Sequence, residues 1–321
     1  MADNGTATFA SPDDYQAGIS GVSSKGARIN FIVTAGGDFK ARLTWLNLRR
    51  VTVLRGSENL PSIAYVSLPT ERVVVLFPTS TATLVWGGLE LRLGDIVLHG
   101  RGERTHQRTP GEGNWGIVSL PPDQLSACAL ALTGSKIIAP SFHRVLRPPR
   151  RVASRLLRLH SKACRLAETR HELIANPEVA RSLEQELLHV LINCLTADDI
   201  NGRPARRHHA DIMIQFEEAL AAHTDRLPSM REICATIGVP ERTLRVCCAE
   251  FLGTSPTRYL LLRRLNLARS ALRRANPAHA SVAEIARSCQ FGEPGRFAVT
   301  YRSVFGEMPS ATLRHPPAKT T

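Results

Sequence analysis

The last third of the chain contains the same helical pattern twice, and this repeat constrains the fold more than any other feature. The two copies lie at Met230–Tyr259 and Ser281–Arg314. Each copy has two short segments with apolar residues three and four positions apart, a tight turn between them and a glycine after the second segment. Two short helices joined by a tight turn form a helix-turn-helix unit. The repeat therefore predicts an all-α C-terminal domain with two such units.

The apolar positions agree in the two copies. In the first copy they are Ile233 and Ile237 before a turn at Gly238, then Leu244, Cys247, Cys248 and Phe251. The second copy opens on Ser281, a residue type that caps helices, and breaks at 290–292 before it resumes at Phe297. Since Cys247 and Cys248 lie on the apolar face, we expect both to be buried. Between the copies, Pro256–Arg274 has helical periodicity and predicts one longer helix that joins the units.

This arrangement resembles the AraC/XylS family of transcription regulators. The resemblance covers about Asp211–Arg314 and rests on the two units, the helix between them and the closing Gly-x-x-Pro-Ser motif at Gly306–Ser310. It implies a transcription regulator, in most members an activator, that binds double-stranded DNA through the second helix of each unit. It also implies RNA polymerase and a small-molecule effector as partners, and a homodimer as the assembly.

The first half of the chain predicts a β-domain. Short segments rich in β-branched and aromatic residues alternate with turn residues at 31–33, 43–48, 51–54, 72–77, 83–86, 89–93, 96–98 and 116–120. Gly87–Gly88 and Gly94–Asp95 predict hairpin turns. Many short, closely spaced strands are typical of a sandwich or barrel. The stretch 86–111 also resembles the cupin-like domain found at the N-terminus of many AraC/XylS proteins.

The predicted fold class is therefore α+β, with a cupin-like β-barrel or sandwich, an amphipathic helical pair and the C-terminal helical domain. We predict a disordered arm at 1–20, the β-domain at 21–145, the helical pair at 146–197, a linker at 198–209 and the double helix-turn-helix domain at 210–321. The apolar faces of the helical pair could pack on the β-domain or form a dimer with a second copy. The sequence leaves these two alternatives open.

The exposed residues near the start of each second helix are the predicted readers of DNA. A major groove admits one α-helix, and an arginine fork matches the O6 and N7 atoms of guanine. In the first unit we expect Arg242 and Arg245 to contact bases, with phosphate contact as the alternative. The full predicted DNA-binding set is Glu241, Arg242, Thr243, Arg245, Arg263, Arg264, Glu293, Arg296, Thr300 and Arg302. Arg263 and Arg264 belong to the joining helix and are predicted phosphate contacts.

The second reading helix departs from the family pattern. Pro294, Gly295 and Ala298 stand where polar residues are usual, and Val299, like Val246 in the first unit, stands where arginine is frequent. We therefore expect the second helix to act mainly on phosphates or through DNA shape. The choice of DNA sequence would then depend more on the first unit than on the second.

Charge and composition agree with a polyanionic partner. The chain has a net charge of +13, and Arg226–Thr321 carries fifteen basic residues against six glutamates, a net of +9. The seven cysteines are odd in number and lack CxxC spacing, which is typical of a reduced, cytoplasmic protein. We expect no signal peptide, because the first residues lack a basic region and an apolar run. We expect no membrane span, because no stretch approaches ~18 consecutive apolar residues.

The sequence carries no catalytic motif that we recognise. We find no Ser/His/Asp order, no glycine-rich phosphate loop and no H-E-x-x-H. Enzymatic cupins usually hold a metal through a His-x-His pair, whereas His99 and His106 lie seven apart. We therefore expect no catalytic residues, metal or cofactor, and loop or surface positions near a turn for both histidines. A ligand-responsive regulator is the main hypothesis. The alternatives are a cupin-like enzyme fused to a DNA-binding domain, and a DNA-binding protein whose β-domain only dimerises.

Overall fold

A computed structural model of the chain describes residues 4–23, 27–196, 204–222 and 228–314. These residues form a two-sheet β-sandwich with a layer of helices on one outer face and a C-terminal helical domain on the other. The α+β class predicted from the sequence is confirmed, with two separate sheets rather than a closed barrel. None of the described helices has the length and apolar character that a membrane span requires.

The sandwich is built from short strands and two helices. In chain order they are β1 (Asn4–Phe9), α1 (Pro12–Val22), β2 (Arg28–Val33), β3 (Ala41–Asn47), β4 (Thr52–Glu58), β5 (Ser62–Ser67), β6 (Val73–Pro78), β7 (Leu84–Trp86), β8 (Leu89–Leu91), β9 (Ile96–Leu98), β10 (Arg104–Thr109), β11 (Gly113–Leu120), α2 (Pro122–Thr133) and β12 (Arg144–Leu146). The first sheet has the order β1-β3-β4-β11-β6-β9-β12, and the second has the order β2-β5-β10-β7-β8. All the pairings between these strands are antiparallel.

The second sheet separates its two faces by strand alternation. Phe31 and Ala64 face the first sheet and belong to the apolar core of the sandwich. Their neighbours Asn30 and Tyr65 face the C-terminal domain, as does His106 on β10, whose ring centroid lies 4.9 Å from that of Tyr65. Because successive side chains point to opposite faces of a strand, this one sheet is shared by the sandwich core and the C-terminal domain.

One predicted hairpin is confirmed and the other is wrong. Gly87 and Gly88 join the paired strands β7 and β8 with φ angles of 54° and 76°, which glycine adopts at no steric cost. Gly94–Asp95 also forms a turn, but it carries the chain from β8 in the second sheet to β9 in the first. The two flanking strands are therefore not partners.

The predicted disordered arm at 1–20 is wrong over residues 4–20, and residues 1–3 lie outside the described residues. Asn4–Phe9 forms the edge strand β1, which pairs with β3, and Pro12–Val22 forms α1. Tyr15 and Ile19 of α1 are 0% and 5% exposed, and the Tyr15 hydroxyl donates a hydrogen bond of 3.0 Å to Glu58. Partners far along the chain thus order a segment whose own composition is polar and small-residue-rich.

The predicted helical pair packs on the first sheet of its own sandwich. It forms α3 (Arg150–Thr169), the short α4 (His171–Ile174) and α5 (Pro177–Leu195). Their apolar faces join α2 and the outer face of the first sheet in one buried cluster, which includes Leu156, Leu187 and Val53. Much of the apolar face of this segment is therefore covered within the chain. Dimerisation through the segment stays a prediction.

The C-terminal domain contains both predicted helix-turn-helix units. Its helices are α6 (Pro204–Ala221), α7 (Met230–Ile237), α8 (Glu241–Leu252), α9 (Pro256–Arg274), α10 (Val282–Ser288), α11 (Pro294–Phe305) and α12 (Pro309–Arg314). The first unit is α7 with α8, the second is α10 with α11, and α9 joins them. Part of the predicted linker at 198–209 is helical, because α6 begins at Pro204; the stretch 198–203 lies outside the described residues.

A buried carboxylate joins this domain to the second sheet. Glu217 of α6 is 4% exposed and accepts hydrogen bonds from His106 Nε2 (2.9 Å) and the Tyr259 hydroxyl (2.6 Å), while Arg263 forms an ion pair with it. Burial raises the pKa of Glu217, but the hydrogen bond from His106 and the charge of Arg263 outweigh that effect and bring it to about 2. The ionised carboxylate therefore links β10, α6 and α9.

The sandwich also touches both helix-turn-helix units at the C-terminal ends of their second helices. Gly88 lies against Phe251 of α8, and Arg108 lies against Gly253 directly after it. Gly36 packs so closely on Phe305 at the end of α11 that a methyl group there would overlap its backbone. Between these two contacts, Asn266 of α9 pairs with the backbone N–H and carbonyl of Val33, at 3.2 and 3.0 Å, on edge strand β2.

The turn of the second unit contains a strained residue. Gln290 has a φ of 63° and is the one non-glycine residue in the left-handed region among those the structure describes. Gly238 has a φ of 68° in the corresponding turn of the first unit. The following N–H bonds the carbonyl five residues back in both turns, from Val239 to Cys234 and from Phe291 to Ala286. The shared hydrogen bond explains why the conformation is kept despite the side chain.

Replacing Gln290 with glycine is expected to raise the free energy of unfolding by about 1 kcal/mol. A side chain costs ~1–2 kcal/mol in the left-handed region, and glycine removes most of this cost. Gln290→Val is the matched control and should lower stability, because a branched side chain fits that region worse. Urea unfolding of the three proteins measures the difference. A glycine variant less stable than the parent chain would contradict strain at this turn.

Candidate nucleic-acid interface

The first reading helix, α8, begins and ends at residues that fix its limits. Pro240 is its N-cap, and a proline there loses nothing because the first N–H groups of a helix have no internal partner. Glu241 follows in the first turn, where a negative charge is favourable. The helix ends at Gly253, which adopts the left-handed conformation with a φ of 66°. These signals determine where α8 begins. The start of the helix in turn determines which side chains face outward near its N-terminal end.

One face of α8 is buried and the other is open. The buried side chains are Leu244, Cys247, Cys248 and Phe251, each 0% or 1% exposed. The expected burial of the two adjacent cysteines is therefore confirmed. Arg242, Arg245 and Val246 lie on the exposed side, and Val246 keeps 51% of its surface open. The predicted base contacts Arg242 and Arg245 thus share an accessible face near the N-terminal end of the helix, with Glu241 exposed and Thr243 half-buried.

The second reading helix, α11, is anchored by aromatic packing. Phe291, Phe297, Tyr301 and Phe305 form a row with successive ring centroids 4.7, 5.5 and 4.7 Å apart. The Tyr301 hydroxyl also shares a hydrogen bond of 2.8 Å with Thr312 of α12. On the opposite side, the predicted residues Glu293, Arg296 and Arg302 are exposed, and Thr300 is half-buried.

The two reading helices differ at equivalent positions. When Gly253 and Gly306 are aligned, the exposed Arg242 and Arg245 of α8 correspond to Gly295 and Ala298 of α11. Val246 corresponds to Val299, which is 72% exposed. An exposed valine at this position can contact a thymine methyl group but offers no hydrogen bond to a base edge. The geometry therefore agrees with an asymmetric reader whose polar groups lie mainly on α8.

Arg245 has a local partner that DNA could replace. Its guanidinium group forms an ion pair of 2.6 Å with Glu241, one helical turn earlier, and their side chains are 66% and 47% exposed. Exposed pairs of this spacing contribute ~0.3–0.5 kcal/mol, so little free energy opposes a change of partner. Glu241 also holds the arginine on the face that a major groove would meet.

The structure gives the two predicted phosphate contacts on α9 internal partners. Arg263 forms an ion pair with the buried Glu217, and the Arg263 side chain is only 22% exposed. Arg264 donates to the carbonyls of Cys289 and Gln290 and stacks over Phe291, 4.1 Å from the ring centroid. Their contact with DNA stays a prediction. In this conformation Arg263 positions α9 against α6, and Arg264 holds the strained turn of the second unit.

The expected loop or surface position near a turn is wrong for His106, which lies in β10. His99 does follow directly after β9, outside any strand, but neither histidine is at the surface. They are 0% and 1% exposed, and each donates to a different buried carboxylate, His99 to Glu103 (3.2 Å) and His106 to Glu217 (2.9 Å). Among the described residues, no group of three or more His, Cys, Asp or Glu side chains is arranged so that it could hold a metal ion. One sequence signal for the burial of Glu217 was missed. Glu217 directly follows the apolar Phe216 and therefore lies beside the buried face of α6.

Comparison with known proteins identifies the C-terminal region. A family model described as a helix-turn-helix domain matches residues 233–315. The probable thc operon regulatory protein of Rhodococcus erythropolis is 40% identical over 147 residues, which are 46% of this chain and 43% of that protein. The XylDLEGF operon transcriptional activator 1 of Pseudomonas putida is 35% identical over 102 residues, 32% of this chain and 30% of that protein. The chain spans less than half the length of these two curated relatives.

Solved structures with related descriptions superimpose only loosely. A transcriptional regulator of Chromobacterium violaceum, described as having an AraC-type DNA-binding domain, is 27% identical and covers 33% of this chain and 93% of its own, with a TM-score of 0.30. ToxT from Vibrio cholerae is 12% identical and covers 90% of this chain and 98% of its own, with a TM-score of 0.29. The identification of the C-terminal domain therefore rests on the sequence matches.

Substitution of Arg242 is expected to change sequence preference more than affinity. Arg242→Ala should reduce discrimination at one base position by about 1–3 kcal/mol, because an arginine fork on guanine is lost. Arg302→Ala is the matched control on α11 and should weaken all duplexes alike, with a salt slope smaller by about 1. Binding to a randomised duplex library at two salt concentrations measures both effects. An unchanged preference profile for Arg242→Ala would rule out base contact by this residue.

Proposed function

We propose, from the AraC-type helix-turn-helix domain that this chain carries at its C-terminus, that the protein is a sequence-specific DNA-binding transcription regulator. The observation that supports this most is the pair of reading helices on one basic domain, each with its apolar face buried and its N-terminal end open. A helix exposed in this way fits a major groove. The excess of positive charge in the last third of the chain would supply the part of the affinity that does not depend on sequence.

In this proposal the two helix-turn-helix units have different roles in DNA binding. The first unit chooses the sequence through Arg242 and Arg245, helped by Glu241 and Thr243. The second unit, through Glu293, Arg296, Thr300 and Arg302, contacts the backbone and responds to groove shape. Because α9 joins the units, both can meet one side of a duplex. Arg263 and Arg264 would reach phosphates only after they exchange their internal partners, so we assign them the role of positioning the two units.

We further propose that the β-domain binds a small-molecule effector and acts on DNA binding through the second sheet. One face of that sheet lines the sandwich core, and the other carries His106, which bonds to Glu217 of the C-terminal domain. At the edge of the same sheet, the backbone of Val33 bonds to Asn266 of that domain. The sandwich also touches the ends of α8 and α11. A change in the sandwich would therefore move the reading helices relative to one another and alter their fit to two successive grooves.

The remaining assignments follow from the same proposal. The two curated relatives are named as operon regulators, one of them as a transcriptional activator. We propose that this chain activates transcription by contact with RNA polymerase, acts as a homodimer and works in the cytoplasm. We assign it no enzymatic role and no cofactor.

Selection of duplexes from a random pool by the full chain tests the proposal. We expect an enriched motif with one well-defined half, read by α8, and one weakly defined half, read by α11. Affinity should fall steeply as salt rises, because each phosphate contact releases condensed counterions. A variant with Arg242→Ala and Arg245→Ala serves as the control and should lose the well-defined half. No enrichment from any pool at low salt would overturn the proposed function.

A further inference from the structure

A row of positive charges runs along the outer side of α3, the long helix packed on the first sheet. Its members are exposed and lie three or four positions apart, at Arg151, Arg155, Arg158, Lys162 and Arg165. Because residues at this spacing share one side of a helix, the five form a single line about 21 Å long. We call this line the α3 stripe. The opposite side of the helix, which includes Leu156, Leu159 and Ala163, is buried.

Few carboxylates lie near enough to balance the stripe. Glu168 is the one acidic residue of α3, and it pairs with Arg55 of β4 and accepts a hydrogen bond from the Thr44 hydroxyl. Glu186 of α5 lies 3.9 Å from Arg155, and because both side chains are more than half exposed, water weakens this pair. The other four members of the stripe form no ion pair within the part of the chain that the structure describes. Their charges therefore face solvent uncompensated.

The stripe does not serve the stability of α3. Like charges three or four positions apart destabilise a helix, and each member of the stripe has such a neighbour. Arg150 and Arg151 also occupy the first turn, where the helix dipole disfavours a cation, and the preceding Pro149 offers no side-chain cap. A helix face that meets only solvent commonly alternates acidic and basic residues. A departure from these local rules without a compensating contact indicates a functional surface.

The α3 stripe and the reading helices lie on opposite sides of the sandwich. α3 packs on β3 and β4 of the first sheet, whereas α8 and α9 pack on β10 and β2 of the second. Two stacked sheets, about 10 Å apart, separate them. A straight duplex held by α8 and α11 therefore does not reach α3, and DNA resists sharp bending because its persistence length is about 150 base pairs. The stripe stays open to another partner while the reading helices are occupied.

The character of the stripe favours nucleic acid over other anionic partners. No large hydrophobic side chain of α3 is exposed, whereas protein interfaces have an apolar centre. Helices that lie on membranes insert their apolar face, but that of α3 is buried in the sandwich. Four of the five members are arginines, whose planar group donates two hydrogen bonds to one phosphate. Surfaces that bind DNA are polar and strongly positive, as this one is.

We propose that the α3 stripe binds the phosphate backbone of a second segment of double-stranded DNA, so that one molecule bridges two duplexes. The proposal goes beyond the proposed function and rests on it for the first duplex, which the reading helices hold. A duplex segment of about 21 Å carries about 12 phosphates, enough to give every member of the stripe a partner. Because the partners are phosphates, the contact is independent of base sequence.

Acetylation of lysines in the full chain tests this contact, because the stripe contains one lysine. Lys162 lies in the stripe, and Lys40 and Lys136 are exposed positions outside it that serve as internal controls. The chain is mixed with excess random-sequence duplex at low salt, acetylated briefly and digested for mass spectrometry. We expect the duplex to slow acetylation of Lys162 by about fivefold or more, with recovery as salt rises, because the contact depends on counterion release. Acetylation of the two control lysines should stay nearly unchanged.

Bridging itself is measured by retention of a labelled random duplex on beads that carry a duplex selected by the full chain. The stripe variant carries three substitutions, Arg151→Gln, Arg158→Gln and Arg165→Gln. The matched control variant removes the same charge at exposed arginines outside the stripe, Arg28→Gln, Arg101→Gln and Arg181→Gln. The stripe variant should retain about tenfold less labelled duplex, with a salt slope smaller by about 2–3, because three phosphate contacts are lost. The control variant should retain as much as the parent chain.

Several outcomes would overturn the proposal. One is acetylation of Lys162 at the same rate with and without duplex, and another is equal slowing at all three lysines. Equal retention by the stripe variant and the parent chain would assign bridging to the reading helices of two copies. Stronger protection of Lys162 by polyglutamate, or by vesicles of anionic phospholipid, would assign the stripe to a protein or a membrane. Retardation of the selected duplex by the same preparations reports separately on the proposed function, since the footprint at Lys162 does not require the reading helices.

Discussion

The ionised carboxylate of Glu217 is the interaction on which the arrangement of this chain most depends. It is buried where β10 of the sandwich meets α6 and α9 of the C-terminal domain, and one donor or cation comes from β10 and two from α9. Removal of one partner of a buried ion pair typically costs ~3–5 kcal/mol, because the other charge is left uncompensated. The three elements are therefore held together as a set, and the two domains do not separate without exposure of Glu217 to water.

This link determines what the reading helices can do. The sandwich contacts the C-terminal ends of α8 and α11, and Asn266 fixes the middle of α9 to the edge of the second sheet. The N-terminal ends of α8 and α11 stay open. Rigid elements that hold a binding surface from behind give it a defined spacing, and a shift in the sheet changes that spacing. In the proposed function, effector binding by the sandwich and DNA reading would thus be coupled without a shared ligand contact.

The sequence allowed the C-terminal domain to be predicted but not its docking. Ile233, Gly238 and Phe297 carry local periodic and turn signals, so both units and the joining helix could be placed from them. The strand β10 was missed because its sequence, RTHQRT, is polar on the face that α6 and α8 cover. From the sequence alone, Arg263 is expected to be a solvated arginine. The fold instead brings Glu217, forty-six residues earlier in the chain, into contact with it. Contacts over such distances leave no periodic signal in either segment.

Hydrogen exchange of the full chain, with and without a selected duplex, tests most directly whether DNA reading and the sandwich are coupled. We predict slower amide exchange in α8 and α11 on DNA binding, and altered exchange in β2 and β10, the strands bonded to Asn266 and Glu217. Protection confined to α8 and α11, with β2 and β10 unchanged, would contradict the coupling. No protection of either reading helix by any selected duplex would contradict the proposed nucleic-acid interface itself.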